Sequence, residues 1–331
     1  MKQLKAYAAA TAVLGGLTAA PAATAQIVKI DGSSTVFPIT EAVAEEFQKA
    51  KKGAVRVTVG ISGTGGGFKK FCRDETDISG ASRPILKKEM DDCKAAGIEY
   101  FELPVAFDAI TVVVNPRNAF IKSLTIAELK KMWEPGAQGN VAKWSQVNPS
   151  WPDAPMKLFG PGADSGTFDY FTEAVVGKSK SSRGDFTASE DDNVLVQGVA
   201  RDVNGLGYFG YAYYVENRDK LKAVPIVNPK GQPVGPSMDT VLKGSYSPLS
   251  RPIFIYVNAK SLAKPEVKEF VEYYMRHASQ LAKEVKYVPL PDSAYKTAWE
   301  HVTKGKKGTV FGGVAEVGVT IEELLKREAR L

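Results

Sequence analysis

Four stretches of this chain run from a short apolar strand, through a loop of glycine, serine and threonine, into an amphipathic helix. They are IVKI-DGSST (residues 27–35), VRVTV-GISGTGGG (55–67), TDI-SGASR (76–83) and MKLF-GPGADSGT (156–167). One such loop is uninformative, because glycine and serine fill turns of every kind. Four loops rich in backbone N–H and hydroxyl donors, all opening helices, predict one anion site assembled from several helix N-termini.

Residues 1–25 have the pattern of a removable signal peptide. Lys2 and Lys5 precede an uncharged run of mainly Ala, Val and Leu, and Ala-Thr-Ala at 23–25 forms a small-x-small cleavage site. The alternative, a membrane anchor, needs an apolar run of ~20 residues, which is longer than the run found here. We therefore expect a mature, exported and soluble chain that begins at Gln26.

The charge of the chain does not point to a nucleic-acid partner. Its formal net charge is +6, and removal of Lys2 and Lys5 lowers this to +4 (6 − 2). A nucleic-acid surface needs a stripe of lysine and arginine with interleaved aromatic residues, and the sequence has none. The basic runs at 51–52 and 304–307 fit the solvated ends of helices and loops.

The cysteines, Cys72 and Cys93, lie close together in the sequence of a chain that we expect to be exported. In an oxidising compartment such a pair favours a disulfide, although two buried free thiols remain the alternative.

Strand and helix patterns alternate along most of the chain, which predicts the α/β class with largely parallel sheets. Two strongly apolar strands, 110–114 and 253–257, each end in Val-Asn and bracket a middle segment with its own strand–loop–helix unit. A chain of this length exceeds what one core usually serves, so two domains are expected. We place a discontinuous domain I at 26–110 plus 255–331, and domain II at 111–254, with the ligand cleft between them.

Several motifs follow one another in the order found in a known family. The chain resembles the periplasmic phosphate-binding proteins of ABC transporters, the PstS-like group with the type II periplasmic binding fold. The motifs are DGSSTVFP (31–38), GISGTGGG (60–67), ASRP (81–84), DSGTF (164–168), PVAFDAITVVVNP (104–116) and GLGYFGY (205–211). Each is a weak signal alone, but together they cover most of the mature chain.

The resemblance implies a function and a set of site residues. The family binds inorganic phosphate in a cleft between two α/β domains joined by two extended segments, and delivers it in the periplasm to a membrane permease. By position, the ligands from the first domain are Ser34, Thr35, Val36 and Thr64; those from the second are Ser165, Gly166 and Thr167. We expect a monomer that needs no cofactor.

Two positions depart from the best-known members. Those proteins have an aspartate, the acceptor of the phosphate proton, where this chain has Arg83, and an arginine shortly before Ser-Gly-Thr, where it has Pro161. Arg83 would then be the cation, since guanidinium binds two anion oxygens at once. Its alternative role is that of a surface arginine at a helix start. Asp164 is the candidate proton acceptor, with helix capping as its alternative.

An enzymatic function has little support in the sequence. A serine hydrolase needs a base beside its nucleophile, but the chain's two histidines, His277 and His301, lie far towards the C-terminus. Ser165 lacks the Gly-x-Ser-x-Gly elbow, because residue 163 is alanine. No cluster has metal-ligand spacing, so we predict neither a catalytic residue nor a metal. The alternative functions are a receptor for another tetrahedral oxyanion such as sulfate, or a secreted phosphohydrolase.

Overall fold

A computed structural model describes residues 26–314 and 316–331. The predicted signal peptide, 1–25, lies outside the described residues. Within them, no helix has the length and apolar character needed to cross a membrane.

Strands and helices alternate along the chain, which confirms the predicted α/β class. The strands are β1 Gln26–Gly32, β2 Val55–Val59, β3 Ile78–Ala81, β4 Tyr100–Val114, β5 Lys157–Pro161, β6 Thr187–Ser189, β7 Gly205–Gly210, β8 Lys222–Ala223, β9 Ile226–Val227, β10 Pro233–Val234 and β11 Ser250–Asn258. The helices are α1 Phe37–Ala50, α2 Gly63–Phe71, α3 Lys87–Ala95, α4 Ile126–Trp133, α5 Trp144–Val147, α6 Gly166–Val176, α7 Asp192–Arg201, α8 Tyr211–Glu216, α9 Met238–Leu242, α10 Pro265–Glu284, α11 Asp292–Thr303 and α12 Ile321–Glu328.

The main sheet has the strand order β2-β1-β3-β11-β4-β7-β5-β6, and β8 pairs with β4 at its side. Strands β1, β2 and β3 are parallel to one another, as are β5, β6 and β7. We call the part built on β1–β3 the first lobe and the part built on β5–β7 the second lobe. Because the carboxyl ends of parallel strands meet at one edge, the loops that follow the strands of each lobe are brought together.

Two long antiparallel strands connect the lobes. β4 pairs with β11 through residues 100–109 and with β7 through residues 110–114, so it passes from the first lobe into the second. β11 brings the chain back and also pairs with β3. The apolar strands predicted at 110–114 and 253–257 are the ends of these two connections. The domain limits themselves stay a prediction.

Helix α1 illustrates how the sequence positions a loop of the site. Ile39, Val43 and Phe47 recur at helical spacing and are buried, and Phe47 packs edge-on against Phe270 of α10 with ring centroids 5.3 Å apart. Burying a side chain of this size stabilises the fold by about 1.5–3 kcal/mol. The start of α1 is thereby fixed at the carboxyl end of β1.

The TDI-SGASR loop differs from the prediction, because it does not enter a helix directly. Ser82 and Arg83 form a bend, residues 84–86 have no regular secondary structure, and α3 starts only at Lys87. The residue before a proline is disfavoured in helical conformation, which delays the helix.

The predicted disulfide joins Cys72 to Cys93, with their Cα atoms 4.3 Å apart. Cys72 directly follows α2 and Cys93 lies in α3. The bridge therefore ties together the two helices that flank the loop carrying Arg83.

Candidate functional site

The loop between β1 and α1 carries the first group of predicted ligands. Gly32 has φ = 142° and lies so close to β3 that a Cβ would fall 2.2 Å from the Gly80 carbonyl oxygen, so only glycine fits. The loop then turns, and the backbone N–H of Thr35 donates to Ser33 Oγ at 3.2 Å. The Val36 N–H donates to the Ser33 carbonyl at 3.1 Å.

Two tyrosines fix the same loop from outside. Tyr287 donates its hydroxyl to the Thr35 carbonyl, and Tyr213 of the second lobe donates to the Ser34 carbonyl at 3.0 Å. The side chains of Ser34 and Thr35 are thus held in place at the boundary between the lobes, where both are buried.

The start of α6 meets this loop from the second lobe. Ser165 caps the helix, since its Oγ accepts the backbone N–H groups of Thr167 and Phe168 at 3.1 and 3.4 Å. Thr167 Oγ1 lies 3.0 Å from Thr35 Oγ1. Hydroxyl groups beside the starts of two helices, one from each lobe, therefore meet at this point.

Arg251, on the connecting strand β11, supplies a cation at this point. Its Nη2 donates to Thr167 Oγ1 at 2.7 Å and to Thr35 Oγ1 at 3.3 Å, and its Nη1 donates to the Gly166 carbonyl at 3.0 Å. The guanidinium is buried, and among residues 26–314 and 316–331 its Nε has no hydrogen-bond partner. One fully buried guanidinium thus touches both lobes.

Two buried carboxylates accompany Arg251. Asp108 Oδ2 accepts from Arg251 Nη2 at 3.2 Å, and Asp192 Oδ1 accepts from Ser34 Oγ at 3.3 Å. Burial raises the pKa of Asp108, an effect that the charge of Arg251 opposes. Burial, followed by the charge of Asp108, raises the pKa of Asp192 to about 7. In the described part of the chain Asp192 Oδ2 has no partner.

A second cluster of hydroxyl groups lies beside the one formed by Thr35 and Thr167. Ser82 Oγ accepts from Ser33 Oγ at 2.9 Å and lies 3.2 Å from Thr64 Oγ1. Gly166 of the opposite lobe packs directly on it, because a Cβ there would lie 2.4 Å from Thr64 Oγ1 and 2.7 Å from Ser82 Oγ. The absence of a side chain at Gly166 lets the helix N-terminus approach these hydroxyls.

Arg83 is buried as well, but its donors are directed at carboxylates. Its Nε donates to Asp169 Oδ2 at 2.7 Å, and its two terminal nitrogens donate to Glu89 at 2.8 and 2.9 Å. Nη1 also donates to the Pro84 carbonyl at 3.0 Å. A role as anion ligand is not tested by this arrangement and stays a prediction.

Asp164 lies at the rim of the cleft. Its carboxylate pairs with Lys69 at 2.8 and 3.0 Å, and its side chain is 39% exposed. Its carbonyl accepts the Gly65 N–H at 2.8 Å, a contact between the lobes.

Comparisons with known proteins identify the family. The model of a PBP superfamily domain matches residues 17–277. The chain is 55% identical to protein SphX of Synechococcus elongatus over 91% of its own length and 89% of that protein. It is 40% identical to the phosphate-binding protein PstS of Staphylococcus haemolyticus over 84% of its length and 86% of that protein. The chain belongs to the PstS-like group of the PBP superfamily.

Solved structures of this superfamily have the same fold. A possible phosphate-binding protein from Planctomyces limnophilus is 51% identical, has a TM-score of 0.62, and covers 85% of this chain and 98% of its own. A putative phosphate ABC transporter substrate-binding protein from Clostridium perfringens, crystallised with bound phosphate, is 25% identical with a TM-score of 0.67, covering 80% of this chain and 100% of its own. The predicted type II periplasmic binding fold is confirmed, and the PstS-like proteins are substrate-binding transport proteins.

The structure brings most of the predicted ligands of this PstS-like chain together at the lobe boundary. Thr35 and Thr167 contact Arg251, and Ser34 contacts Asp192. Gly166 and Thr64 lie at the neighbouring hydroxyl cluster. The residues that sequence reasoning missed are Arg251, Asp108 and Asp192. A signal was available for the first two, since each is a charged residue beside or within a strongly apolar strand, where an unpaired charge would be costly.

Proposed function

We propose that this protein is a periplasmic receptor that closes on inorganic phosphate and delivers it to an ABC transporter permease. The observation that carries the proposal is that Arg251 contacts Thr35 of one lobe and Thr167 of the other. A ligand bound here contacts both lobes at once and so favours the closed arrangement. The phosphate bound to the C. perfringens relative supports the same choice of ligand.

The residues around Arg251 suit a tetrahedral oxyanion. Hydroxyls come from Ser34, Thr35 and Thr167, and helices α1 and α6 direct their positive ends at the same point. Each hydrogen bond to a charged group contributes about 1.5–3 kcal/mol net. The predicted ligands Val36, Ser165 and Gly166 belong to the same two loops, and Thr64 lies in α2 beside Gly166. All four remain part of the proposed set.

The acidic residues give the site a preference for an anion that carries a proton. Two buried carboxylates, Asp108 against the guanidinium of Arg251 and Asp192 against the hydroxyl of Ser34, disfavour an anion that can only accept hydrogen bonds. Hydrogen phosphate has a proton to donate at neutral pH, whereas sulfate has none. We therefore propose Asp192, whose Oδ2 is unpartnered within the described residues, as the acceptor. Asp164, the candidate from the sequence, is the alternative that the same experiment tests.

Binding, without hydrolysis, is the proposed activity. His301 is buried beside Glu328 of α12, with Nδ1 and Oε2 3.4 Å apart, and His277 packs against the ring of Tyr273. Both histidines thus have other neighbours, and we expect neither phosphatase activity nor a cofactor. We also propose a soluble monomer with domains 26–110 plus 255–331 and 111–254, which rotate about β4 and β11.

Calorimetric titration of the mature protein with phosphate, arsenate and sulfate tests the function. We expect phosphate and arsenate to bind tightly at neutral pH and sulfate to bind at least ~100-fold more weakly, because a missing donor leaves a buried acceptor unpaired. Tighter binding of sulfate would contradict the proposal. Release of phosphate from p-nitrophenyl phosphate, with or without added metal ions, would contradict the absence of hydrolysis.

A further inference from the structure

One ion pair crosses the lobe boundary away from Arg251. Arg83 lies in the loop after β3 of the first lobe, and Asp169 lies in α6 of the second. Arg83 Nε and Asp169 Oδ2 are 2.7 Å apart, and each side chain is no more than 1% exposed. Residues from the two lobes therefore form a direct, buried, charge-assisted hydrogen bond.

We propose that the Arg83–Asp169 pair is a latch that stabilises the closed arrangement whether or not an anion is bound. Rotation of the lobes about β4 and β11 separates the two residues, because one is fixed to each lobe. The latch lowers the free energy of the closed state and thus slows release of the ligand, without contacting the ligand itself.

Each member of the pair has a second partner within its own lobe. Arg83 makes a bidentate ion pair with Glu89 at 2.8 and 2.9 Å. Lys180 Nζ lies 3.7 Å from Asp169 Oδ1. When a buried pair is broken, most of the cost comes from leaving one charge uncompensated. Here neither charge is left alone when the lobes part, so the pair can open and re-form.

The second partners also have access to water. A groove of about 760 Å³ at the lobe boundary is lined by Lys69, Glu89, Asp164 and Lys180, among other residues. The side chain of Lys180 is 47% exposed, and that of Glu89 is 15% exposed. Opening therefore moves Arg83 and Asp169 towards groups that already face solvent.

The boundary contains a matched control for the latch. Lys69 and Asp164 also join the two lobes, at 2.8 Å, but their side chains are 65% and 39% exposed. Exposed ion pairs contribute little, because water and salt screen them. Lys69→Met thus breaks an ion pair at the same boundary without removing the buried pair.

The test compares Asp169→Asn with Lys69→Met in the mature protein. Small-angle scattering without phosphate measures the compactness of the free state, and stopped-flow fluorescence measures the release of inorganic phosphate. We expect Asp169→Asn to increase the radius of gyration of the free protein and to speed release about tenfold, with an unchanged ratio of arsenate to phosphate affinity. Lys69→Met should leave compactness and release rate unchanged.

A second variant changes release in the opposite direction. Lys180→Met removes the partner that Asp169 retains in the open state, so opening becomes more costly and release slower. This variant alters a half-exposed residue and keeps the test available if Asp169→Asn does not fold.

Unchanged compactness in Asp169→Asn, or unchanged release in both variants, would overturn the latch. So would tighter phosphate binding by Asp169→Asn, because it would mean that the freed Arg83 acts as an anion ligand. Scattering without phosphate does not depend on the ligand. The latch can therefore be wrong while the phosphate function is right, and the phosphate function can be wrong while the latch is right.

Discussion

Asp108 and Arg251 are direct cross-strand partners on the two strands that connect the lobes, β4 and β11. Their side chains meet at 3.2 Å, fully buried. The carboxylate orients the guanidinium, whose Nη2 also donates to the hydroxyls of Thr35 and Thr167. The cation of the proposed site is therefore positioned by the connection between the lobes, and not by the loops of either lobe.

Loss of Arg251 should impair phosphate binding severely. Arg251→Ala removes the cation and leaves Asp108 unpaired, so we expect phosphate affinity to fall by about two orders of magnitude or more by calorimetry. Arg251→Lys should recover only part of the affinity, because an ammonium group cannot donate the two parallel hydrogen bonds of a planar guanidinium. Arg276→Ala is the control, since Arg276 is 71% exposed on α10. Wild-type affinity in Arg251→Ala would remove Arg251 from the site.

Replacement of Asp192 should change selectivity. In Asp192→Asn the side chain loses acceptor capacity and gains a donor, so phosphate should bind about tenfold more weakly and sulfate relatively better. Asp164→Asn is the matched control and should keep the wild-type ratio of phosphate to sulfate affinity. The reverse result, with the ratio altered only in Asp164→Asn, would assign the proton acceptor to Asp164.

The buried carboxylate of Asp192 should also affect stability. Its pKa in the folded protein is raised from its ordinary value of 3.8 to about 7, so the folded state binds more protons than the unfolded state between these two values. The contribution of this group to the free energy of unfolding therefore decreases as the pH rises from about 4 to about 7, by up to ~1.4 kcal/mol per pH unit.

Urea unfolding of the phosphate-free protein at several pH values between 4 and 8 measures this effect. The Asp192→Asn variant should have a smaller loss of stability over the range, because asparagine does not titrate. Equal pH profiles for the two proteins would contradict the assignment of a raised pKa to Asp192.

The disulfide should stabilise the segment around Arg83. Cys72 and Cys93 are 21 residues apart in sequence, and removing a cross-link of that size costs about 3 kcal/mol through the entropy of the unfolded chain. The double variant Cys72→Ser/Cys93→Ser should lower the free energy of unfolding by this order. Mass spectrometry of the exported protein should find a chain beginning at Gln26 with no thiol that can be alkylated before reduction.

Local patterns in the sequence predict much of the fold and the loops that carry part of the proposed site. Strand β2 at 55–59 is expected from VRVTV, because apolar alternation and flanking turn residues determine such an element locally. Ser34, Thr35 and Thr167 could be predicted for the same reason, since each stands at the start of a helix after a strand.

The pairing of the charged residues of the site could not be predicted in this way. Arg251 and Asp108 are 143 residues apart in sequence, and only the register of β4 against β11 brings them together. Arg83 was expected to bind the anion because its loop carries other donors. The structure pairs that side chain with Glu89 and Asp169, which lie six and 86 positions further along the chain, and its role as an anion ligand stays a prediction. Side-chain pairing across lobes is a property of the tertiary fold, which no local pattern contains.

A crystal structure of the mature protein with bound phosphate tests the central claim most directly. We predict an anion between the lobes, with oxygens about 2.7–3.0 Å from the guanidinium of Arg251 and from the hydroxyls of Thr35 and Thr167, while Arg83 stays paired with Asp169. Phosphate bound to Arg83, with Asp169 displaced and Arg251 out of reach of the anion, would contradict it.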